Sequence, residues 1–297
     1  MISYFQAIVI GLLQGVTELF PISSLGHSVL VPAWLGWDSF VTAQSASESF
    51  YLAFVVALHV GTALALLVFF RAEWVRIGKG FFRTLRTRRL ETPDERLAWL
   101  LIVATIPAGI TGLVLEHTLR TVFAKPLAAA VFLTINGLIL LAGERFRRRA
   151  EVRELAEAHA VVQSEGGEEG RRLDTLDFKE AGAIGVAQIG ALFAGISRSG
   201  ITMVAGLVRG LDHEDAARFS FLLATPIILA AGVYKIPDLL GPLGNGVRGQ
   251  ALVGALCAAG ASYLSVRFLV RFFQTRTLIP FAIYCLVVGG ISIVRFA

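Results

Sequence analysis

The stretch Gln14-Gly-Val-Thr17-Glu18-Leu-Phe-Pro21-Ile-Ser23-Ser24-Leu-Gly26-His27 breaks an otherwise apolar N-terminal segment with a carboxylate, an imidazole, adjacent hydroxyls and a proline. A second string, Gly195-Ile-Ser197-Arg198-Ser199-Gly200, does the same past the middle of the chain. An ionisable side chain at the bilayer centre costs about 2.5–3.5 kcal/mol on insertion scales, so such groups are usually functional. Each string sits inside a broken apolar segment, 1–35 and 180–208: a helical run, a Pro or Gly with a serine cluster, then a second short helical run. This pattern predicts two re-entrant helix-loop-helix hairpins. Irregular backbone at membrane depth is tolerated only where protein or a water-filled cavity covers it, so the two hairpins are expected to meet at a cavity.

The rest of the 297-residue chain supports a membrane setting, with 55% hydrophobic and 16% charged residues. Six uninterrupted stretches are long enough to cross the hydrocarbon, at roughly 50–70, 97–116, 126–143, 217–235, 249–266 and 278–296. The fold class expected is therefore an all-α polytopic membrane protein, six transmembrane helices plus two re-entrant hairpins. The 27 Lys and Arg against 22 Asp and Glu do not indicate nucleic acid, because they fall in short blocks between apolar runs, where the positive-inside rule accounts for them. Cys257 and Cys285 lie inside apolar runs without metal spacing and read as small packing residues. The N-terminus lacks a basic n-region and carries Gln14 and Glu18 where a cleavable signal would be apolar, so it reads as part of the mature chain.

The basic blocks orient the spans. Arg71, Arg76, Lys79, Arg83, Arg86, Arg88, Arg89 and Arg96 mark 71–96 as a cytoplasmic loop, and Arg145, Arg147, Arg148 and Arg149 open a cytoplasmic linker. Segments 36–49, 117–125 and 236–248, with both termini, then face outside. The linker at 145–179, charged and containing Ser164-Glu-Gly-Gly-Glu-Glu-Gly170, reads as a helix extension followed by a flexible turn. It divides a single integral membrane domain, 1–297, into repeats at 1–144 and 180–297. Sliding the chain by 174 positions aligns Gln14 with Gln188, Ser23 with Ser197, Gly11 with Gly185 and Gly26 with Gly200. Each half holds one hairpin and three spans, and an odd span count inverts the second copy. Inverted repeats place their site near the midplane, where broken helices converge.

The two strings carry chemistry suited to phosphate. Gln14 and Glu18, four residues apart, share one helix face. Pro21 ends that helix, and Ser23, Ser24, Gly26 and His27 open the next, whose free N–H groups favour a phosphate oxygen. Arg198, between Ser197 and Ser199 at the equivalent break, has the planar fork for bidentate phosphate binding. Blander roles exist for each: Glu18 and Arg198 as a structural ion pair, Ser23 and Ser24 as N-caps, His27 bonded to a carbonyl. His59, mid-span, reads equally as a cavity-lining or a helix-packing residue. Arg209, Asp212, His213, Glu214 and Asp215 read as a surface loop with Asp212 as a cap.

In these two strings the chain resembles the undecaprenyl-diphosphate phosphatases, the BacA/UppP bacitracin-resistance family of bacterial inner-membrane proteins. The family's [E/Q]-x-x-x-E motif falls on Gln14 and Glu18, its P-x-S-S-x-x-H string on Pro21, Ser23, Ser24 and His27, and its P-G-x-S-R-S-G string on Gly195, Ser197, Arg198, Ser199 and Gly200. Ala194 stands where the family usually has proline, and Leu25 where a small hydroxyl residue is common. The resemblance implies that Glu18, Ser24, His27 and Arg198 are essential, with Gln14, Thr17, Ser23, Gly26, Ser197, Ser199 and Gly200 around the substrate.

The activity implied is hydrolysis of undecaprenyl diphosphate to undecaprenyl phosphate and inorganic phosphate, which recycles the lipid carrier of cell-wall synthesis, at a site facing the periplasm. Glu18, helped by Gln14, acts as a general base or through a divalent cation, Mg2+ or Ca2+, with no organic cofactor expected. Ser24 or His27 supplies the nucleophile or orients water, and Arg198 stabilises the transferring phosphoryl group. The partners implied are the polyprenyl diphosphate and the bilayer, with room for a homodimer. The alternative function is a transporter or flippase of polyprenyl phosphate, since broken helices in inverted repeats also build transporters.

Overall fold

The computed structural model describes residues 2–37, 40, 50–123, 125–161, 172–241 and 244–297. They form α1 (Tyr4–Thr17), α2 (Ser24–Trp34), α3 (Phe50–Phe69), α4 (Arg71–Thr87), α5 (Pro93–Phe123), α6 (Pro126–Val161), α7 (Phe178–Ala187), α8 (Arg198–Val208), α9 (His213–Leu240), α10 (Arg248–Phe272) and α11 (Ile279–Phe296), with short 3-10 turns at Leu173–Thr175 and Gln188–Leu192. No strand occurs among the described residues. Five helices are long and apolar enough to cross a bilayer: Pro93–Leu115, Pro126–Ala150, His213–Tyr234, Arg248–Phe272 and Ile279–Phe296. The bent pair α3 and α4 supplies up to a sixth. All six expected spans therefore fall on helices, and the chain is a multi-pass membrane protein.

The basic segment 71–96 corrects the sequence reading. It is not a loop; its first part is the helix α4, which turns 87° away from α3. Ile77, Gly80 and Thr84 of α4 are buried, and Phe81 packs against Trp99 of α5 with the ring centroids 5.5 Å apart. Counting charges along 71–96 hid an apolar stripe at helical spacing. The turn into α5 is closed by Thr92 and Glu95. Thr92 Oγ accepts from the Glu95 N–H at 3.3 Å, and Glu95 accepts from the Glu91 and Thr92 N–H groups at 2.7 and 3.1 Å. Pro93 at the start of α5 loses nothing there, because the first helical N–H groups have no intrahelical partner.

The expected linker is in part a continuation of α6, which runs to Val161, so the helix extension is observed; the Ser164–Gly170 stretch lies outside the described residues. Most of the 36–49 segment also lies outside them. Segments 117–125 and 236–248, expected to be outer loops, are partly helical, as α5 continues to Phe123 and α9 to Leu240.

Small residues set the closest helix contacts. A Cβ on Gly11 or Gly15 of α1 would collide with the backbone carbonyls of Gly254 and Ala258 on α10, and one on Gly185 of α7 would collide with that of Ala104 on α5. In lipid, apolar surface gains little by leaving its neighbours, so close van der Waals packing through small residues holds helices together. Large apolar side chains such as Leu113, Val114, Val233 and Val294 point outward, toward acyl chains.

Ion pairs and hydrogen bonds gather one end of the bundle: Arg218 of α9 with Glu73 of α4 at 2.9 Å, His213 with Glu144 of α6 at 2.7 Å, and the Leu278 N–H with Glu144 at 2.7 Å. Asp212 caps α9 by accepting from the Asp215 N–H at 2.7 Å, as expected. His213, expected at the surface, is instead drawn into the Glu144 contact and also meets Arg147. At the other end, Gln250 of α10 donates to the Ile2 carbonyl at 3.3 Å and Trp34 of α2 donates to Ser292 of α11 at 3.0 Å.

Candidate active site

Two capped helix starts build the centre of the molecule. α1 ends at Thr17, and the chain turns through Glu18–Ile22 before α2 begins at Ser24. Pro21 cannot donate to an extending helix, so the break follows from the sequence. Ser23 caps α2 by accepting from the Gly26 N–H at 3.1 Å, and Ser197 caps α8 by accepting from the Gly200 N–H at 3.1 Å. Ser23 adopts φ +70°, a left-handed conformation rare outside glycine, and Gly195 sits at φ +119°. Backbone strain of this kind costs on the order of 1–3 kcal/mol and persists where surrounding contacts over-determine it. Here those contacts are plain. The Ser23 hydroxyl also accepts from the Gly195 N–H at 3.2 Å, and its carbonyl accepts from His27 Nδ1 at 2.7 Å.

Glu18 is the hub of the buried polar cluster. Its Oε2 accepts from Ser24 Oγ at 2.5 Å and from Gln14 Nε2 at 3.0 Å, and lies 3.3 Å from His59 Nε2. Its Oε1 accepts from the Arg198 guanidinium at 3.0 Å. A second Arg198 nitrogen donates to the Ser220 carbonyl at 3.5 Å. The ion pair foreseen as the bland reading thus exists, but a serine hydroxyl and an imidazole join it. Solvent reaches the cluster mainly at Arg198 and His59, whose side chains are 15% and 20% exposed.

The structure divides the residues expected at the site. Glu18, Ser24, Arg198 and Gln14 converge. His27 does not join them: its Nδ1 faces the Ser23 carbonyl and its Nε2 lies 2.8 Å from the Tyr284 hydroxyl. Since a carbonyl only accepts, Nδ1 carries the proton and Tyr284 donates to a bare Nε2 in the neutral ring. Ser23, Gly26, Ser197, Ser199 and Gly200 form the seam between the two breaks. A Cβ on Gly26 would lie 2.9 Å from Gly195 Cα, and one on Gly200 3.3 Å from Pro21 Cβ. Ser199 donates to the Phe20 carbonyl at 3.2 Å and lies 3.0 Å from Ser197 Oγ. Thr17 bonds back to the Leu13 carbonyl of its own helix at 2.8 Å. The breaks therefore touch each other directly. Two clefts lie at the basic end, one beside Arg96, Arg172 and Arg218, the other beside Glu144, Arg148 and Arg276; Glu18 lines neither.

Three contributors escaped the sequence reading in whole or in part. Asn136 of α6 donates to the Pro21 carbonyl at 2.9 Å and accepts from the Ser197 N–H at 2.9 Å, tying both breaks to one side chain. Tyr284 holds His27, and His59, left open between two roles, faces the central carboxylate. A lone Asn in a span was the one signal that pointed to Asn136. Among the described residues no group of three or more His, Cys, Asp or Glu side chains converges.

The order of these groups along the chain matches a known pattern: residues 7–291 fit the family model described as bacitracin resistance protein BacA. This chain belongs to the BacA family. Among its relatives, an undecaprenyl-diphosphatase of Mycolicibacterium paratuberculosis is 60% identical, the alignment covering 100% of this chain and 98% of that one. Undecaprenyl-diphosphatase 2 of Frankia alni is 58% identical with the same coverage, and undecaprenyl-diphosphatase 2 of Burkholderia ambifaria is 46% identical over 97% of this chain and 95% of its own. The BacA match spans both helix breaks and every side chain that meets Glu18.

Proposed function

We propose that this BacA-family chain hydrolyses undecaprenyl diphosphate to undecaprenyl phosphate and inorganic phosphate. Full-length relatives bearing that activity in their names support the substrate, and one geometric observation carries the chemistry: Ser24 Oγ–H donates to Glu18, which Arg198 holds from the opposite oxygen. In this reading Glu18 takes the Ser24 proton as Oγ attacks the terminal phosphorus. The bond from that phosphorus to the bridging oxygen breaks, and undecaprenyl phosphate leaves. Water then cleaves the phosphoserine, releasing inorganic phosphate and restoring the hydroxyl. Arg198 exchanges part of its contact with Glu18 for the phosphoryl oxygens and stabilises their charge. Ser24 is favoured over His27 as nucleophile because it touches the base, whereas both His27 nitrogens are engaged elsewhere.

A divalent cation, Mg2+ or Ca2+, belongs in this scheme with the diphosphate. Glu18 is already met by Gln14, Ser24, His59 and Arg198, so a cation would reach it with Gln14 only by displacing one of those partners. The transport reading has the architecture alone behind it.

We place the two hairpins as re-entrant elements of an inverted repeat in the inner membrane, entered from opposite sides, with the lipid headgroup approaching from the periplasmic face. Three observations support this. The start of α1 and the end of α2 both lie at the end of the bundle opposite the Arg-rich segments, beside Gln250 and Ser292. α7 and α8 approach the centre from the Arg-rich end, where Arg96 bonds the Leu176 carbonyl and Gly206 packs on Ala216. The 174-residue shift exchanges Gly26 against Gly195 for Gly200 against Pro21, and both contacts are present.

Phosphate release from undecaprenyl diphosphate by purified protein in detergent tests the activity. Release lost in Ser24→Ala supports the assignment. Wild-type protein that moves lipid across vesicles but releases no phosphate would refute it.

A further inference from the structure

The Glu18 carboxylate has one partner from outside both broken segments, 1–35 and 180–208. His59 comes from the middle of α3, and its two ring nitrogens are committed in a defined way. Nδ1 lies 2.8 Å from the Val55 carbonyl one turn earlier in the same helix, and a carbonyl oxygen can only accept, so Nδ1 carries a hydrogen. Nε2 lies 3.3 Å from Glu18 Oε2. An ionised carboxylate only accepts, so the hydrogen between them is on Nε2, and with Nδ1 also protonated the ring is an imidazolium paired with Glu18. The backbone bond to Val55 thus sets the ring so that Nε2 addresses Oε2, the same oxygen that faces Ser24 Oγ at 2.5 Å, while Arg198 holds Oε1.

We propose that His59 is a positioning residue: by sharing a hydrogen with Oε2, it fixes the plane of the Glu18 carboxylate so that one oxygen faces the Ser24 hydroxyl and the other faces Arg198. Gln14 lies one turn back in the helix that Glu18 caps, its carbonyl accepting from the Glu18 N–H, and moves with it. Arg198 is expected to turn toward the phosphoryl group. His59 is the brace that belongs to a separate span and stays in place through the reaction. α3 is itself anchored at this level, since Thr62, one turn on, accepts from Ser262 of α10 at 3.0 Å and Gly61 packs against the Ala255 backbone. His59 therefore reports the position of a rigid helix pair to the carboxylate. The inference rests on Glu18 acting as the base for Ser24.

Three substitutions separate this role from helix packing. His59→Gln places an amide N–H near the position of Nε2; His59→Asn reaches only the position of Nδ1 and keeps the link to Val55; His59→Leu removes both. Phosphate release from undecaprenyl diphosphate is measured in detergent, with kcat and KM separated and the thermal midpoint recorded for each variant. The Gln variant is expected within about fivefold of wild type, while Asn and Leu lose about 100-fold in kcat, the scale of a misplaced catalytic group, with KM changed less than about threefold. Asn retaining activity equal to or above Gln would overturn the inference, as would Leu keeping more than half the wild-type rate. If Leu fails to fold, the Gln and Asn pair still decides. No release by the wild-type protein would instead overturn the proposed activity.

Discussion

The Ser23 hydroxyl accepts a hydrogen bond from the Gly195 N–H at 3.2 Å, across 172 residues of sequence, while accepting from Gly26 N–H at 3.1 Å. The cap of one broken helix thus completes the backbone of the other. Both bonds are buried, so either N–H left bare would carry its desolvation cost.

Ser23→Ala strands both N–H groups. The expected loss of stability is about 2–4 kcal/mol, at about 1–2 kcal/mol for each buried donor, measured by unfolding in mixed detergent micelles. A variant as stable as wild type would show that the seam between the breaks is not held by this hydroxyl.

Arg198→Lys should be nearly as damaging as Arg198→Ala. The guanidinium bonds Glu18 and the Ser220 carbonyl through different nitrogens, and one ammonium cannot reproduce a planar, two-pronged donor. Phosphate release should fall about 100-fold or more, the range typical of losing a transition-state donor. A lysine enzyme running above half the wild-type rate would exclude the fork as the working feature.

Glu18→Gln keeps the shape of the hub but removes its basicity, so turnover should fall by roughly 10²–10⁴, the usual contribution of a general base, while the protein still inserts and elutes as folded. Gln14→Glu should be tolerated, because His59 and Arg198 sit close enough to offset the added charge. Full turnover by Glu18→Gln would reduce the cluster to a structural ion pair.

Topology is open to labelling. A cysteine replacing Leu35 at the end of α2 should react with a membrane-impermeant thiol reagent in intact spheroplasts. One replacing Arg86 on α4 should react only after permeabilisation, both in a background with Cys257 and Cys285 changed to alanine. The reverse pattern would invert the chain and move the site to the cytoplasmic side.

The helix α4 should lie along the inner membrane surface. Its buried face, Ile77, Gly80 and Thr84, meets the bundle; Val75, Phe82 and Leu85 form an exposed apolar stripe beside Arg76, Lys79, Arg83 and Arg86. That arrangement suits acyl chains below and anionic headgroups alongside. A spin label at Phe82 in lipid nanodiscs should be accessible to oxygen and shielded from a water-soluble nickel relaxant. A label at Phe82 that meets the nickel reagent freely would place α4 in solvent instead.

The sequence alone determined what local chemistry controls. A run of about twenty apolar residues must hide its backbone bonds in a helix, so every span was legible from 50–70 to 278–296. A proline followed by serines must break and restart a helix, so Pro21, Ser23 and Ser24 announced the first break and Ser197 with Arg198 the second. α4 was misread as a loop, because its charges were counted without their helical spacing, and α5 and α9 run beyond the expected spans. What the tertiary structure decided is which polar groups meet. Glu18 receives His59 from 41 positions away and Arg198 from 180 positions away, while His27, only nine positions on, turns to Tyr284. Periodicity places a side chain on a helix face, but the direction that face points is set by where Gly11, Gly15, Gly61 and Gly185 let helices approach. Asn136 shows the same limit: nothing beside it in the chain reveals that one amide must satisfy the Pro21 carbonyl and the Ser197 N–H together.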